Sequence, residues 1–321
     1  MCVVMTNIYM LMYVCHSYSL TRSCPHAHCV CVCVCRVCGP PSGARSVSLQ
    51  AVKIRMKSVS NIKKITAAMK MVAASKLRLV EDTMRQSRGI VKPYVNLVGD
   101  LPGAAAEEPV TVLVTSDRGL CGGINANIAK TYRSLSKVIE DTGPERLTLV
   151  GEKIKGLLVR DNAHKFTMSV TDCLKSGITF ALASAIADEV LKTEFDVARV
   201  VFNRFGSVMS FEPTIATVLS PEGVEKFADI ARLDQYEVDE DEREELMANF
   251  SEFQVAAQMY NSLLENASSE MASRMSAMDS STRNATEMLE KLTLTYNRTR
   301  QAAITTELIE IISGASALDD A

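Results

Sequence analysis

Tryptophan is absent from this 321-residue chain, aromatic residues make up 5%, and the only histidine beyond residue 28 is His164. The first 80 positions hold no acid, the first being Glu81. Of ten cysteines only Cys121 and Cys173 lie beyond residue 40. Proline is missing between Pro41 and Pro93 and again after Pro221. Each shortage excludes something. Two body cysteines build no disulfide framework. No apolar run reaches the roughly 18–20 residues of a membrane-spanning helix, so none is expected. A lone histidine leaves no recognisable metal cluster. Few aromatics beside 16 methionines suit long helices better than one large core.

What is present is unevenly spread. The formal charge of −3 hides 11 Lys/Arg and no acid in residues 1–80, hence a net of −14 in the remainder. Eight cysteines, from Cys2 to Cys38, crowd the start. Residues 1–45 carry Arg22, Arg36 and Arg45, several serines and no acid, the composition of an organelle transit peptide, with cleavage near Arg45. The run Cys29-Val-Cys-Val-Cys-Val-Cys35, with Cys38, His26 and His28, competes as a metal site. Strict alternation aligns cysteines on one side of an extended chain instead of converging them on an ion. A translated dinucleotide repeat spells the same run. A secretory signal is a further alternative, but the sequons at Asn266, Asn284 and Asn297 all fall inside a helical pattern, which argues against glycosylated loops.

From about Leu49 the pattern is helical. Val52, Met56, Val59, Ile62, Ile65, Met69, Val72 and Leu79 step by threes and fours, with Lys76 filling one place. The polar face is wholly basic: Lys53, Arg55, Lys57, Lys63, Lys64, Lys70, Lys76 and Arg78. Near the other end Leu246, Phe250, Phe253, Ala257, Tyr260, Leu264, Ala267 and Met271 form a heptad seam. After one extra four-residue step to Met275 it resumes through Met278, Thr282, Ala285, Leu289, Leu292 and Tyr296. Neither helix holds its shape in water with its stripe uncovered. Mutual cover as an antiparallel coiled coil is favoured over a bundle, because the middle supplies too few long helices. Strands are predicted at 110–115, 147–150, 197–202 and 214–219, alternating with helices at 125–140, 152–160 and 178–193. That alternation gives a mostly parallel sheet with helices on its faces. The chain therefore divides into a leader at 1–45, a helix within 46–100, an α/β domain at 109–220 and a helix within 237–321. The fold class is α/β with a long antiparallel coiled coil. Residues 237–245 carry seven acids against one arginine at a helix start, where the dipole favours negative charge.

Chemistry is scarce. Gly119-Leu-Cys-Gly-Gly-Ile124 lies between a strand and a helix, where a phosphate-cradling loop would sit, yet lacks both the triphosphate and dinucleotide patterns. Cys121 at a helix start is a conceivable nucleophile without a visible base; a small turn residue is the plainer reading. The basic helix face suits phosphates but has no aromatic stacking platform for nucleic acid, and lacks the Trp/Phe/Leu enrichment of a membrane-surface helix. A protein partner with acidic surfaces fits better.

Three segments carry a resemblance. Ile54-Arg-Met-Lys-Ser-Val-Ser-Asn-Ile-Lys-Lys-Ile-Thr-Ala-Ala-Met-Lys-Met-Val-Ala-Ala-Ser-Lys-Leu77 resembles the first helix of the gamma subunits of rotary ATP synthases. Thr115-Ser-Asp-Arg-Gly-Leu-Cys-Gly-Gly-Ile-Asn-Ala-Asn127 resembles that family's central-domain loop, and Ile304-Thr-Thr-Glu-Leu-Ile-Glu-Ile-Ile-Ser-Gly-Ala-Ser-Ala317 its C-terminal signature. The resemblance covers about 49–321. It implies a Rossmann-like domain at the foot of the coiled coil, and a coil seated in a hexamer of alpha and beta subunits. It implies a foot on the ring of c subunits beside an epsilon or delta stalk subunit. It implies a shaft that turns with proton flow, drives ATP synthesis at sites it does not itself contain, and binds no cofactor. By resemblance Arg300 and Gln301 match the catch contact with acidic beta-subunit loops, and Met69 and Lys70 lie at the matching point on the first helix. The segment 304–318, with Thr305, Glu307, Glu310, Gly314 and Ala315, matches the part entering the apical bearing. Chloroplast members carry a cysteine pair in an inserted central loop; residues 174–321 contain no cysteine. With the leader, this favours the matrix side of the mitochondrial inner membrane. The alternatives are a soluble α/β enzyme with Cys121 as nucleophile and helical oligomerisation arms, and a coiled coil that binds nucleic acid through residues 49–80.

Overall fold

The computed structural model describes residues 48–98, 109–139, 145–172, 177–193, 195–221, 223 and 243–319. The leader with its cysteines, Cys173 and acidic positions 237–242 lie outside them. The chain divides after Ser48 into two units, and the architecture here is that of the second. In chain order its elements are α1 (Leu49–Val98), β1 (Pro109–Val114), α2 (Ile124–Ile139), β2 (Arg146–Val150), α3 (Glu152–Asn162), a 3-10 turn (Ala163–Lys165), β3 (Phe166–Val170), α4 (Phe180–Leu191), β4 (Val197–Phe205), β5 (Phe211–Leu219) and α5 (Arg243–Asp319).

The two long helices run antiparallel. Thr282 Oγ1 donates to Thr66 Oγ1 at 2.8 Å, Lys70 Nζ meets Asp279 at 2.6 Å, and Ser87 Oγ donates to Asn261 at 3.0 Å, so numbers rise on one helix as they fall on the other. On α1 the seam is Val52, Met56, Val59, Lys63, Thr66, Lys70, Ala73, Leu77, Val80, Met84, Ser87 and Val91, buried or half-buried at unbroken four-three steps. This corrects the stripe expected from hydrophobicity. Ile62, Ile65, Val72 and Leu79 are 52%, 57%, 56% and 74% exposed. Each sits one residue before a seam position, and one residue turns a helix by about 100°. The pairing geometry selects a period of about 3.5, so it passes through Lys63, Thr66 and Lys70 although those side chains are polar. On α5 the expected seam holds better: Met278 and Ala285 are buried, and Thr282, Leu289, Leu292 and Tyr296 half-buried. At its start, Leu246 and Phe253 are exposed.

The chain between the two long helices forms a five-stranded sheet in the order β3-β2-β1-β4-β5. β1 pairs in parallel with β2 and β4, and β2 with β3, while β5 closes the other edge antiparallel to β4. The edge strand β3 escaped the sequence reading. At five residues, half-buried and exposed positions alternate along it, and it follows α3 with only a 3-10 turn between. Strand alternation sends Val110, Val112 and Val114 to one face, against Ala183, Ile186 and Val190 of α4 and Met259 and Leu263 of α5. Leu113 points the other way, onto Ile128 and Tyr132 of α2 and Ile154 and Leu158 of α3. Each such buried side chain contributes about 1.5–3 kcal/mol. The helix α5 is thus shared: one side completes the coil and the other caps the sheet, which buries residues 254–270 almost all round.

Candidate functional surfaces on the paired helices

The residues assigned by resemblance fall at two levels. Lower down, Met69 and Lys70 are half-buried on α1. Lys70 reaches across the seam to Asp279, which also accepts from Arg283 at 2.6 Å. The bond from Lys70, then the nearby positive charge, holds the Asp279 carboxyl below the ordinary carboxylate range. Higher up, Arg300 and Gln301 are exposed. They stand 21 residues beyond Asp279 on α5, about 30 Å at 1.5 Å per residue. The two sets are therefore not brought together.

The cross-seam pairs place the start of α1 level with about residue 300 of α5. Beyond it α5 continues to Asp319. Thr305, Glu307, Glu310, Gly314 and Ala315 are all exposed along this projecting stretch. So are Ile304, Leu308, Ile309, Ile311, Ile312 and Leu318. At 100° per residue these six lie within one half of the helix circumference, with Thr306, Glu307, Glu310 and Ser313 on the other; an exposed apolar face of this kind matches an element that another surface must cover.

The Gly-rich turn is filled from within. Leu120 and Gly122 adopt φ of 64° and 63°. That left-handed turn presents the Cys121 carbonyl to Ser273 Oγ on α5, which donates to it at 2.6 Å. A Cβ on Gly122 would lie 2.9 Å from the same hydroxyl. The turn docks a helix where a phosphate loop would hold its ligand. Cys121 itself is 3% exposed, and its thiol meets Ser116 Oγ and Asn125 at 3.4 Å and donates to the Arg118 carbonyl at 3.6 Å. Its neighbours are uncharged acceptors and donors, with no imidazole among them.

Sequence reasoning missed the polar grip of α5 on the sheet domain. Asn203 Nδ2 of β4 donates to Asn266 at 3.1 Å, and Ser269 donates to the Asn203 carbonyl at 3.1 Å. Arg274 pairs with Glu270 and donates to the Gly119 carbonyl at 3.4 Å. Glu265 accepts from Arg88 of α1 and from the Phe205 amide. Burial raises the Glu270 carboxyl above its ordinary range, with Arg274 opposing it. Glu265, the nearest carboxylate, bonds to Arg88 and raises that guanidinium. The signal was the row Glu265, Asn266, Ser269, Glu270, Ser273 and Arg274 at steps of one and three or four, which reads as a solvated helix face until the sheet covers it.

Comparison with known proteins shows the family. The family model described as ATP synthase matches residues 48–318. The chain is 53% identical over 288 residues to the mitochondrial ATP synthase subunit gamma of Arabidopsis thaliana, across 87% of this chain and 88% of that protein. It is 38% identical to the mitochondrial ATP synthase F(1) complex subunit gamma of Rattus norvegicus, across 85% of this chain and 100% of the relative. In fold it is similar, at a TM-score of 0.69 and 20% identity, to a chain in the mitochondrial ATP synthase of Euglena gracilis, covering 84% of this chain and 94% of that one.

Proposed function

Because this chain belongs to the ATP synthase gamma-subunit family, mitochondrial type, we propose that it is the central-stalk rotor of a proton-translocating ATP synthase. It couples rotation of a membrane ring of c subunits to conformational change at the catalytic sites of the alpha and beta hexamer. It works on the matrix side of the mitochondrial inner membrane, reaching the bilayer through the ring and beside an epsilon or delta stalk subunit. The observation that carries this reading is one continuous 77-residue helix that is gripped by a folded domain at one level and projects alone at the other.

The physics is that of a biased equilibrium. A shaft drives three sites through different states only if its contacts differ with orientation, since equal affinity for every state shifts nothing. The two helices end at different heights, so the projecting tip is one-sided. The basic face of α1 offers acidic partner loops weak, solvated contacts, which hold the shaft without trapping it. Arg300 and Gln301 serve as the catch toward acidic beta-subunit loops, Met69 and Lys70 as a second contact level, and 304–318 as the bearing segment. The subunit contributes no catalytic group. Cys121, the nucleophile of the enzyme alternative, is buried and hydrogen-bonded inside a structural turn.

Affinity capture of the tagged chain from mitochondria tests this. Alpha and beta subunits are expected in the eluate in excess over the bait. Capture of the folded chain without them would sink the assignment.

A further inference from the structure

Among the described residues a single hydrogen bond runs from α1 to the sheet domain: Arg88 Nη2 donates to the carbonyl of Phe205 at 2.6 Å. The same guanidinium forks onto Glu265 of α5, through Nε and, at 2.9 Å, through Nη2. Glu265 Oε2 in turn accepts from the Phe205 amide at 2.8 Å. Both backbone polar groups of the last residue of β4 are thus held, one by each long helix, and the two holders are paired with each other. Glu265 is 1% exposed, and the Phe205 ring is packed against Leu77, Met84 and Leu264.

We propose that Arg88 and Glu265 are positioning residues of the motor, forming the joint through which twist passes between the sheet domain and both helices at once. The inference rests on the rotor reading. The other bonds from the domain (Asn266, Ser269, Ser273, Arg274) all end on α5. Without Arg88, twist would reach α1 only across the seam, where Ala, Thr, Ser and Lys alternate with Val, Leu and Met, and through the Phe205 ring on Leu77 and Met84, and apolar contacts of this kind resist sliding weakly. Arg88 bypasses that seam. Its planar fork sets an angle as well as a distance, which a lysine or an apolar contact does not. Stability alone does not require such a pair: apolar residues of similar volume commonly replace a buried ion pair without loss. Two side chains aimed at one peptide unit impose direction, which packing against a ring cannot.

The test uses complete ATP synthase reconstituted in vesicles, carrying Arg88→Met with Glu265→Leu together, and Arg88→Lys alone. The double variant leaves no unpaired buried charge; it does free the Phe205 amide and carbonyl, so subunit composition is read first to show that the fold is kept. Three readouts are taken: subunit composition, protons pumped per ATP hydrolysed, and torsional stiffness of single rotors with the hexamer fixed and a bead on the sheet domain. The double variant is expected to assemble and hydrolyse ATP, with a loss of stiffness and of protons pumped per ATP, and the lysine variant to fall between it and wild type. A double variant as stiff and as well coupled as wild type overturns the proposal. So does failure of both variants to assemble, which would assign the pair to folding. Wild-type chain that never enters a complex with alpha and beta subunits would instead overturn the rotor reading.

Discussion

At Gly151 the backbone adopts φ of 107°, and a Cβ there would lie 2.7 Å from the carbonyl oxygen of Thr115. No rotamer change relieves a backbone collision, so Gly151→Ala is expected to destabilise the sheet domain by about 2 kcal/mol or more. At Gly122, φ is 63° and the added atom meets a serine hydroxyl that can turn aside, so Gly122→Ala should cost less, about 1 kcal/mol. Urea unfolding of the two variants checks both the sign and the order. Glu270 makes a pH-dependent prediction. Burial favours its protonated form, against the facing Arg274 and Arg118, while Asp117 adds to the rise. A carboxyl raised in the folded state contributes fully below its unfolded pKa and is a growing cost as pH climbs through the folded value. Wild type should therefore lose stability relative to Glu270→Gln as pH rises from the ordinary carboxylate range upward. Paired thermal melts across that range measure the difference, and a gap that widens in the wild type's favour would contradict the burial argument.

Along the helices, the seam makes its own prediction. Met84 is 1% exposed within a cluster of Leu77, Phe205 and Leu264, so Met84→Ala should cost about 2–5 kcal/mol. Ile65, more apolar but exposed, should change stability by no more than about 0.5 kcal/mol on going to alanine. Denaturant midpoints of the two variants distinguish this seam from one drawn through the isoleucines. The comparison also marks how far the sequence could be read. Both long helices, four of five strands and the parallel sheet were legible, because proline-free periodic stretches and β-branched runs are local signals. The seam of α1 was not, because hydrophobicity at 62, 65, 72 and 79 pulled the pattern one residue out of phase with the partner helix. The grip of α5 was not legible either. Serines, asparagines and glutamates look solvated until the fold brings a backbone to them. The positions proposed as partner contacts rested on matching motifs: no local pattern separates Arg300 from any other exposed helix arginine.

Across the molecule, the sheet domain packs on residues near 254–274 of α5, whereas the projecting stretch begins beyond about residue 300. Removal of Ile304–Ala321 should therefore leave the domain folded while weakening coupling in the assembled enzyme. Amide exchange at β1 and β4 should stay as slow as in the full chain, while protons pumped per ATP should fall. Fast exchange in those strands would mean that tip and domain are not independent. One further property belongs to α5 as a continuous object. The grip at Ser273 and Arg300, the proposed catch, are joined by one unbroken helix whose seam side packs on α1, so their relative bearing is set by counting residues. A single inserted or deleted residue between them would swing the tip by about 100°, nearly the angle between neighbouring sites in a threefold hexamer, whereas seven would nearly restore the bearing and lift the tip by about 10 Å. On the rotor reading, an indel in this stretch of paired helix is a change of timing, and its length is the setting of a clock.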